Sequence, residues 1–168
     1  LAVQHLVRLG RRRIAFLSVG ARTSAREERL AGFARALAET GAEDAGIVEA
    51  DLTWEGAARS AAEVLALQSR PEAVLCFNDV LAAGLMLGLR RAGLEPGRDL
   101  GVVGLDDLPL AELTYPPLTS VAMDPAGIGV AAAHRRHVAL ERLDRPERLA
   151  DIDRFQEHGV HPLSGQLP

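Results

Sequence analysis

The chain has 168 residues, 48% of them hydrophobic and 25% charged, a globular composition of about one domain's length. Its net charge of −4 argues against a surface that covers nucleic acid. No apolar run approaches the roughly 18 residues that a membrane helix needs, so no membrane association is expected. The single cysteine, Cys76, sits in the apolar run 73–77 and reads as a buried, reduced thiol, which fits a cytoplasmic protein.

In chain order, Leu1, Val3, Leu6 and Val7 make one side of an amphipathic helix that Gly10 stops. An opening of this kind reads as part of something longer. Arg11, Arg12 and Arg13 read as a solvated loop leading into an apolar strand over 13–19. A helix is predicted over 25–40, with Leu30, Phe33, Ala34, Leu37 and Ala38 as its apolar face and Gly41 as its stop. A weaker strand follows at 46–50. A second helix is expected over 55–68, presenting Ala58, Ala61, Ala62 and Leu65. A strand at 73–77, a helix at 80–91 closed by Gly93, and a strand at 100–105 complete four alternating units.

Strands apolar on both faces and separated by helices mean a parallel sheet with crossovers. The fold class is α/β: a three-layer, Rossmann-like parallel sheet with helices on both faces. Ligands of such sheets bind outside the carboxyl ends of the strands, which marks loops 20–26, 51–55, 78–79 and 106–110. After Leu110 the pattern changes. "YPPLTSVAM" reads as a crossing connection, a helix is predicted over 125–142, and the tail from Glu147 has no period. Four of the five histidines, His134, His137, His158 and His161, fall in the last 35 residues. His134 and His137 share a helix face, a pattern common on solvated helices, and zinc is not expected there.

The candidate chemistry lies in those loops. Asp106 and Asp107 could hold a metal, cap a helix, or present one carboxylate to a ligand. Being adjacent in an extended segment, their side chains would splay apart. Asn78-Asp79 reads either as a turn with Asp79 capping the next helix, or as a strand-end amide facing a ligand. Arg26 and Arg29 begin a helix, where positive charge is mildly unfavourable. Either neighbouring glutamates explain them, or an arginine points into the crevice. There is no phosphate-binding G-x-x-x-x-G-K-[ST], no G-x-S-x-G and no C-x-x-C, and "GIGVAA" does not follow a strand, as a dinucleotide fingerprint would. The chain contains no lysine, which weakens a phosphoacceptor-type enzyme.

Several stretches together resemble the LacI/GalR, or lactose-repressor-like, transcriptional regulators. They are "HLVRLGRRRIAFLSV", "SAREERLAGFARAL" and "FNDVLAAGLMLGLRRAGLEPGRDLGVVGLDDLPLAELTYPPLTSVAMD", with the turn 51–55. The similarity covers about residues 1–145. It implies a periplasmic-binding-protein-like (type I) effector domain: the second lobe over 1–113, the crossing and a return helix of the first lobe over 114–145, and a divergent tail over 146–168. Most of the first lobe and the DNA-binding domain are expected to be absent from this chain. By the resemblance, Arg29 falls where the family grips its effector, Asn78 and Asp106 fall on polar pocket positions, and Leu52 stands where an aromatic often stacks on the ligand. Trp54 lies two residues on.

The implied partners are a small sugar-like or nucleobase-like effector, a second copy in a homodimer, and DNA through an N-terminal domain not in this chain. No cofactor, metal or catalysis is expected. A periplasmic sugar-binding protein of a transport system is the alternative.

Overall fold

The structure, a computed structural model, describes residues 1–123, which form one compact unit, Leu1–Met123. The helix predicted over 125–142, the tail and the four late histidines lie outside the described residues. Among the described residues, no helix is long and apolar enough to cross a membrane.

Five strands form one sheet: β1 (Arg13–Val19), β2 (Glu43–Ala50), β3 (Ala73–Cys76), β4 (Gly101–Leu105) and β5 (Thr119–Val121). All pair in parallel, in the order β2-β1-β3-β4-β5. The run 119–121, read from the sequence as part of a crossing, is thus the fifth strand of this sheet. The helices are α1 (Ala2–Arg8), α2 (Ser24–Thr40), α3 (Trp54–Arg59), α4 (Ala61–Leu65), α5 (Asp79–Arg91) and α6 (Leu110–Leu113). Helix α1 packs with α2, while α3, α4 and α6 gather on α5. Because parallel crossovers are right-handed, the leftward step β1→β2 puts α2 on one face. The rightward steps β2→β3 and β3→β4 put α3 to α5 on the other. The winding direction reverses between β1 and β3, so the crevice outside their carboxyl ends is where such a sheet binds ligands.

The strands are apolar on both sides because helices cover both. Ile14 to Leu17 on β1 and Ala73 to Cys76 on β3 are all buried. Phe16 meets Phe33 of α2 with ring centroids 5.3 Å apart and planes at 53°, the tilted arrangement aromatic pairs favour. The edge strand β2 alternates instead, with Ala45, Val48 and Ala50 buried.

Helix α2 starts at Ser24, one residue before the predicted 25, with Thr23 Oγ1 accepting the Arg26 N–H at 3.2 Å. It ends at Gly41, whose φ of 65° suits glycine. Of its predicted apolar face, Leu30, Phe33 and Leu37 meet the core and the two alanines do not. Phe33 and Leu37 are buried and Ala36 half-buried, while Ala34 and Ala38 are exposed. The core-facing line is 29, 33, 36, 37, 40, and Arg29 is its first member.

The second predicted helix is two helices, broken at Ser60. There the Oγ–H donates to Gly56 O, four residues back, at 3.2 Å, a bond that bends helices. The buried face is Ala57, Ser60, Ala61 and Val64, one position off the predicted Ala58, Ala61, Ala62 and Leu65. The shift follows from α5. A Cβ on its Gly84 would overlap the Trp54 carbonyl, and one on Gly88 the Ala58 carbonyl, so α3 lies directly on the α5 backbone.

The arginine run before β1 is not merely solvated. Arg11 donates to the carbonyls of Gly97 and Arg98 at 3.1 and 2.8 Å. The Arg12 and Arg13 N–H groups donate to Glu72 at 2.7 and 3.0 Å.

Candidate functional site

Arg29 stands one helical turn before Phe33 on the buried line of α2, so it reaches the carboxyl edge of the sheet instead of solvent. Its Nη1 donates to Phe77 O at 2.6 Å and its Nη2 to Asp106 Oδ1 at 3.0 Å. The guanidinium lies 4.2 Å from the Phe77 ring centroid, within cation–π range. One side chain from after β1 therefore ties together the residues that follow β3 and β4, across the point where the winding reverses.

Asp106 and Asp107 are not extended, as the sequence reading assumed. Their φ values are 110° and 53°, in the left-handed region that non-glycine residues seldom adopt. Asp106 is half-buried and turns its carboxylate to Arg29. Burial raises its pKa above the ordinary carboxylate value, the positive charge of Arg29 opposes that, and the nearby Asp79 charge adds to it. Asp107 is exposed, and it is its backbone N–H, not its carboxylate, that holds the turn by donating to Ser120 Oγ at 3.0 Å. The two carboxylates do not converge on a metal. Among the described residues, no cluster of three or more histidine, cysteine or acidic side chains could hold one.

At the end of β3 the roles of two neighbours exchange. Asn78, not Asp79, caps α5, its Oδ1 accepting the Leu81 N–H at 3.0 Å. Asp79 is fully buried and bonds to Leu108 N–H at 2.7 Å and Ser120 Oγ at 2.5 Å.

Leu52 lies on the other side of the crevice. It lines a cleft of about 420 Å³ with Val19, Thr23, Glu49, Asp51 and Phe77, at the ends of β1, β2 and β3. Leu52 is 59% exposed. Trp54 is not among the residues lining this cleft. The structure brings Arg29 and Asp106 together directly and Asn78 beside them through its neighbour Phe77. Leu52 is related to them only by the cleft, which Phe77 also lines.

Sequence reasoning named Phe77 only as a strand end. The signal that could have found it is an aromatic placed last on a buried strand, just before a polar pair. Glu49 was also missed. It pairs with Arg26, whose Nε donates to Val19 O at 2.8 Å, so both arginines of the helix start are engaged at the sheet edge. That engagement supplies the reason for positive charge at this helix N-terminus.

The chain is similar to known proteins over most of its length. Residues 3–152 match the periplasmic binding protein-like domain family. The HTH-type transcriptional repressor PurR of Vibrio cholerae serotype O1 (strain M66-2) is 38% identical over 161 residues, 94% of this chain and 46% of that protein. Among solved structures, the lac repressor dimer bound to operator and the anti-inducer ONPF superposes with a TM-score of 0.72 at 31% identity. That match covers 80% of this chain and 47% of the repressor chain. A LacI family transcriptional regulator from Arthrobacter sp. FB24, in complex with lactose, has a TM-score of 0.65 at 34% identity, covering 79% of this chain and 49% of that one. The chain spans less than half the length of these relatives. It belongs to the periplasmic binding protein-like domain family and, within it, to the LacI/GalR-type effector-binding domains.

Proposed function

We propose that this chain is the ligand-sensing region of a LacI-type DNA-binding transcriptional regulator, taking a small polar, sugar-like or nucleobase-like effector at the carboxyl edge of its sheet. The observation that carries the reading is the Arg29–Asp106 pair, seated on Phe77 where the winding reverses. A guanidinium fork beside a carboxylate offers donors and acceptors to hydroxyls or ring nitrogens, and an aromatic wall supplies the apolar side. Asn78 adds a donor, and Leu52 fills the far wall. The task is binding, not catalysis. In the assembled regulator the effector would shift the population of arrangements of a homodimer in the cytoplasm, and with it DNA affinity through an N-terminal domain.

An exported sugar carrier of the same fold is the other reading that the sequence allows. The matched relatives named above are repressors or regulators, which favours the regulator.

The test is a thermal-shift and calorimetric panel of ribose, lactose, cellobiose and purine bases on this chain, repeated with Arg29→Ala and Asp106→Ala. Binding of one class, lost in both variants while the folded state persists, supports the site. Equal binding in parent and variants overturns it.

A further inference from the structure

The most deeply buried carboxylate of the unit is not among the groups that face the crevice. Asp79 is fully buried at the start of α5, yet Asn78 does the capping, so helix initiation does not explain a buried charge. Its bonds lead to the turn that carries Asp106, one directly and one through Ser120 of β5. Its Oδ2 accepts the Leu108 N–H at 2.7 Å, and its Oδ1 accepts the Ser120 hydroxyl at 2.5 Å. That hydroxyl oxygen in turn accepts the Asp107 N–H at 3.0 Å, and Val121 O accepts the Asp106 N–H at 3.0 Å. Three consecutive amides, 106 to 108, are thus held one by one.

Held in this way, Asp106 and Asp107 keep φ values of 110° and 53°. Non-glycine residues persist there only where their surroundings impose it. Gly104 on β4 leaves the room, because a Cβ at that position would overlap Asp79 Oδ1. Burying a charge is unfavourable unless it is bonded, and where a buried charge is retained the return is often a specified geometry.

We infer that Asp79 and Ser120 are positioning residues of the effector site, holding the Asp106–Asp107 turn so that the Asp106 carboxylate meets Arg29. The inference rests on the reading of Arg29 and Asp106 as ligand-binding groups. Neither Asp79 nor Ser120 touches the ligand; both act through the turn. Because Ser120 lies on β5, the aim of Asp106 is also set by where β5 sits against β4.

The test uses the isotopically labelled 168-residue chain without ligand, comparing the parent with Ser120→Ala, Ser120→Thr and Asp79→Asn. Two quantities are followed by NMR: hydrogen exchange of backbone amides and the guanidinium signals of Arg29. Losing one bond of the chain should speed exchange about three- to tenfold. In Ser120→Ala the rise is expected at Asp106, Asp107 and Leu108 together, with the β1 core amides unchanged and the Arg29 signals averaged by freer rotation. Ser120→Thr, which keeps a hydroxyl, restores both. Asp79→Asn, which turns one acceptor into a donor, reproduces the alanine effect.

A rise confined to Asp107, a uniform rise across the chain, or unaltered Arg29 signals would overturn the inference. The exchange result is independent of ligand. A chain that responds as stated, but whose Arg29→Ala and Asp106→Ala variants bind as the parent does, keeps these two roles and loses the effector reading, whereas binding lost in those variants with an indifferent turn does the reverse.

Discussion

Gly104 on β4 lies directly beneath the carboxylate of Asp79 on α5, so closely that any side chain at 104 would occupy the space of Asp79 Oδ1. The glycine is required here for space and not for backbone conformation. Gly104→Ala should destabilise the fold by about 1–3 kcal/mol, the usual result of overpacking a filled interior. It should also disturb the turn at Asp106, although it adds only a methyl group. Urea unfolding with a loop-sensitive probe reads both effects, and a neutral substitution would remove the space argument.

Gly88→Ala sets two rules against each other. Helix propensity favours alanine by about 1 kcal/mol. Packing opposes it, since the new Cβ would overlap Ala58 O and sit 2.7 Å from the Ala61 Cβ. A clash with backbone relaxes only by moving α3 away from α5, at about 1–3 kcal/mol. The expected sign is therefore a net loss of thermal stability, and a rise in Tm would mean that the two helices separate easily.

Glu72 gives the fold a defined pH dependence. Backbone N–H groups of Arg13 and Arg12 bond its carboxylate, and the Arg13 guanidinium lies 2.8 Å away, so its pKa falls below the ordinary carboxylate value. With the folded value depressed, the unfolded chain binds more protons as pH drops. The stabilisation is complete above the ordinary carboxylate range and disappears as pH falls through the folded value. Glu72→Gln should lower stability by about 1 kcal/mol at neutral pH, with the difference from the parent closing in acid. A gap that stays constant with pH in denaturant titrations would contradict the assignment.

Cys76 should be chemically silent. It is fully buried, and burial, reinforced by the Asp79 charge, pushes the thiol well above its usual range. A thiolate is what reacts. Modification by a thiol reagent should therefore follow the rate of global unfolding, and fast labelling of the folded chain would show that β3 opens locally.

The order of strands and helices was legible because hydrophobic period and helix stops are local properties. Gly41 and the apolar runs of β1 and β3 need no distant partner to be understood. Loop position and residue type marked Arg29 and Asp106 as candidates among alternatives, and the resemblance of "ERLAGF" and "GLDD" singled them out, but their meeting, which joins residues 77 positions apart, was not legible locally. What stayed hidden depends on packing between elements. Asp79 looked like a cap because "FND" before a helix reads that way, and only the approach of β5 and the gap above Gly104 make it a buried anchor. The stripe of α3 and α4 slipped by one position because two glycines on another helix determine which alanines face inward. The side chains of Asp106 and Asp107 do part, but the extended backbone expected for them is replaced by a turn held by Ser120 and Val121, which lie well downstream.

The contact of Gly84 and Gly88 with α3 also sets how this half of the site can move. Two helices joined backbone to backbone behave as a rigid post, since sliding either one would force carbonyls into Cα atoms. The first turn of that post carries Asn78 and Asp79, directly after Phe77. Strain arising at the crevice therefore has little outlet through α5. The bond from Ser120 to Asp79 ties β5 to the same post.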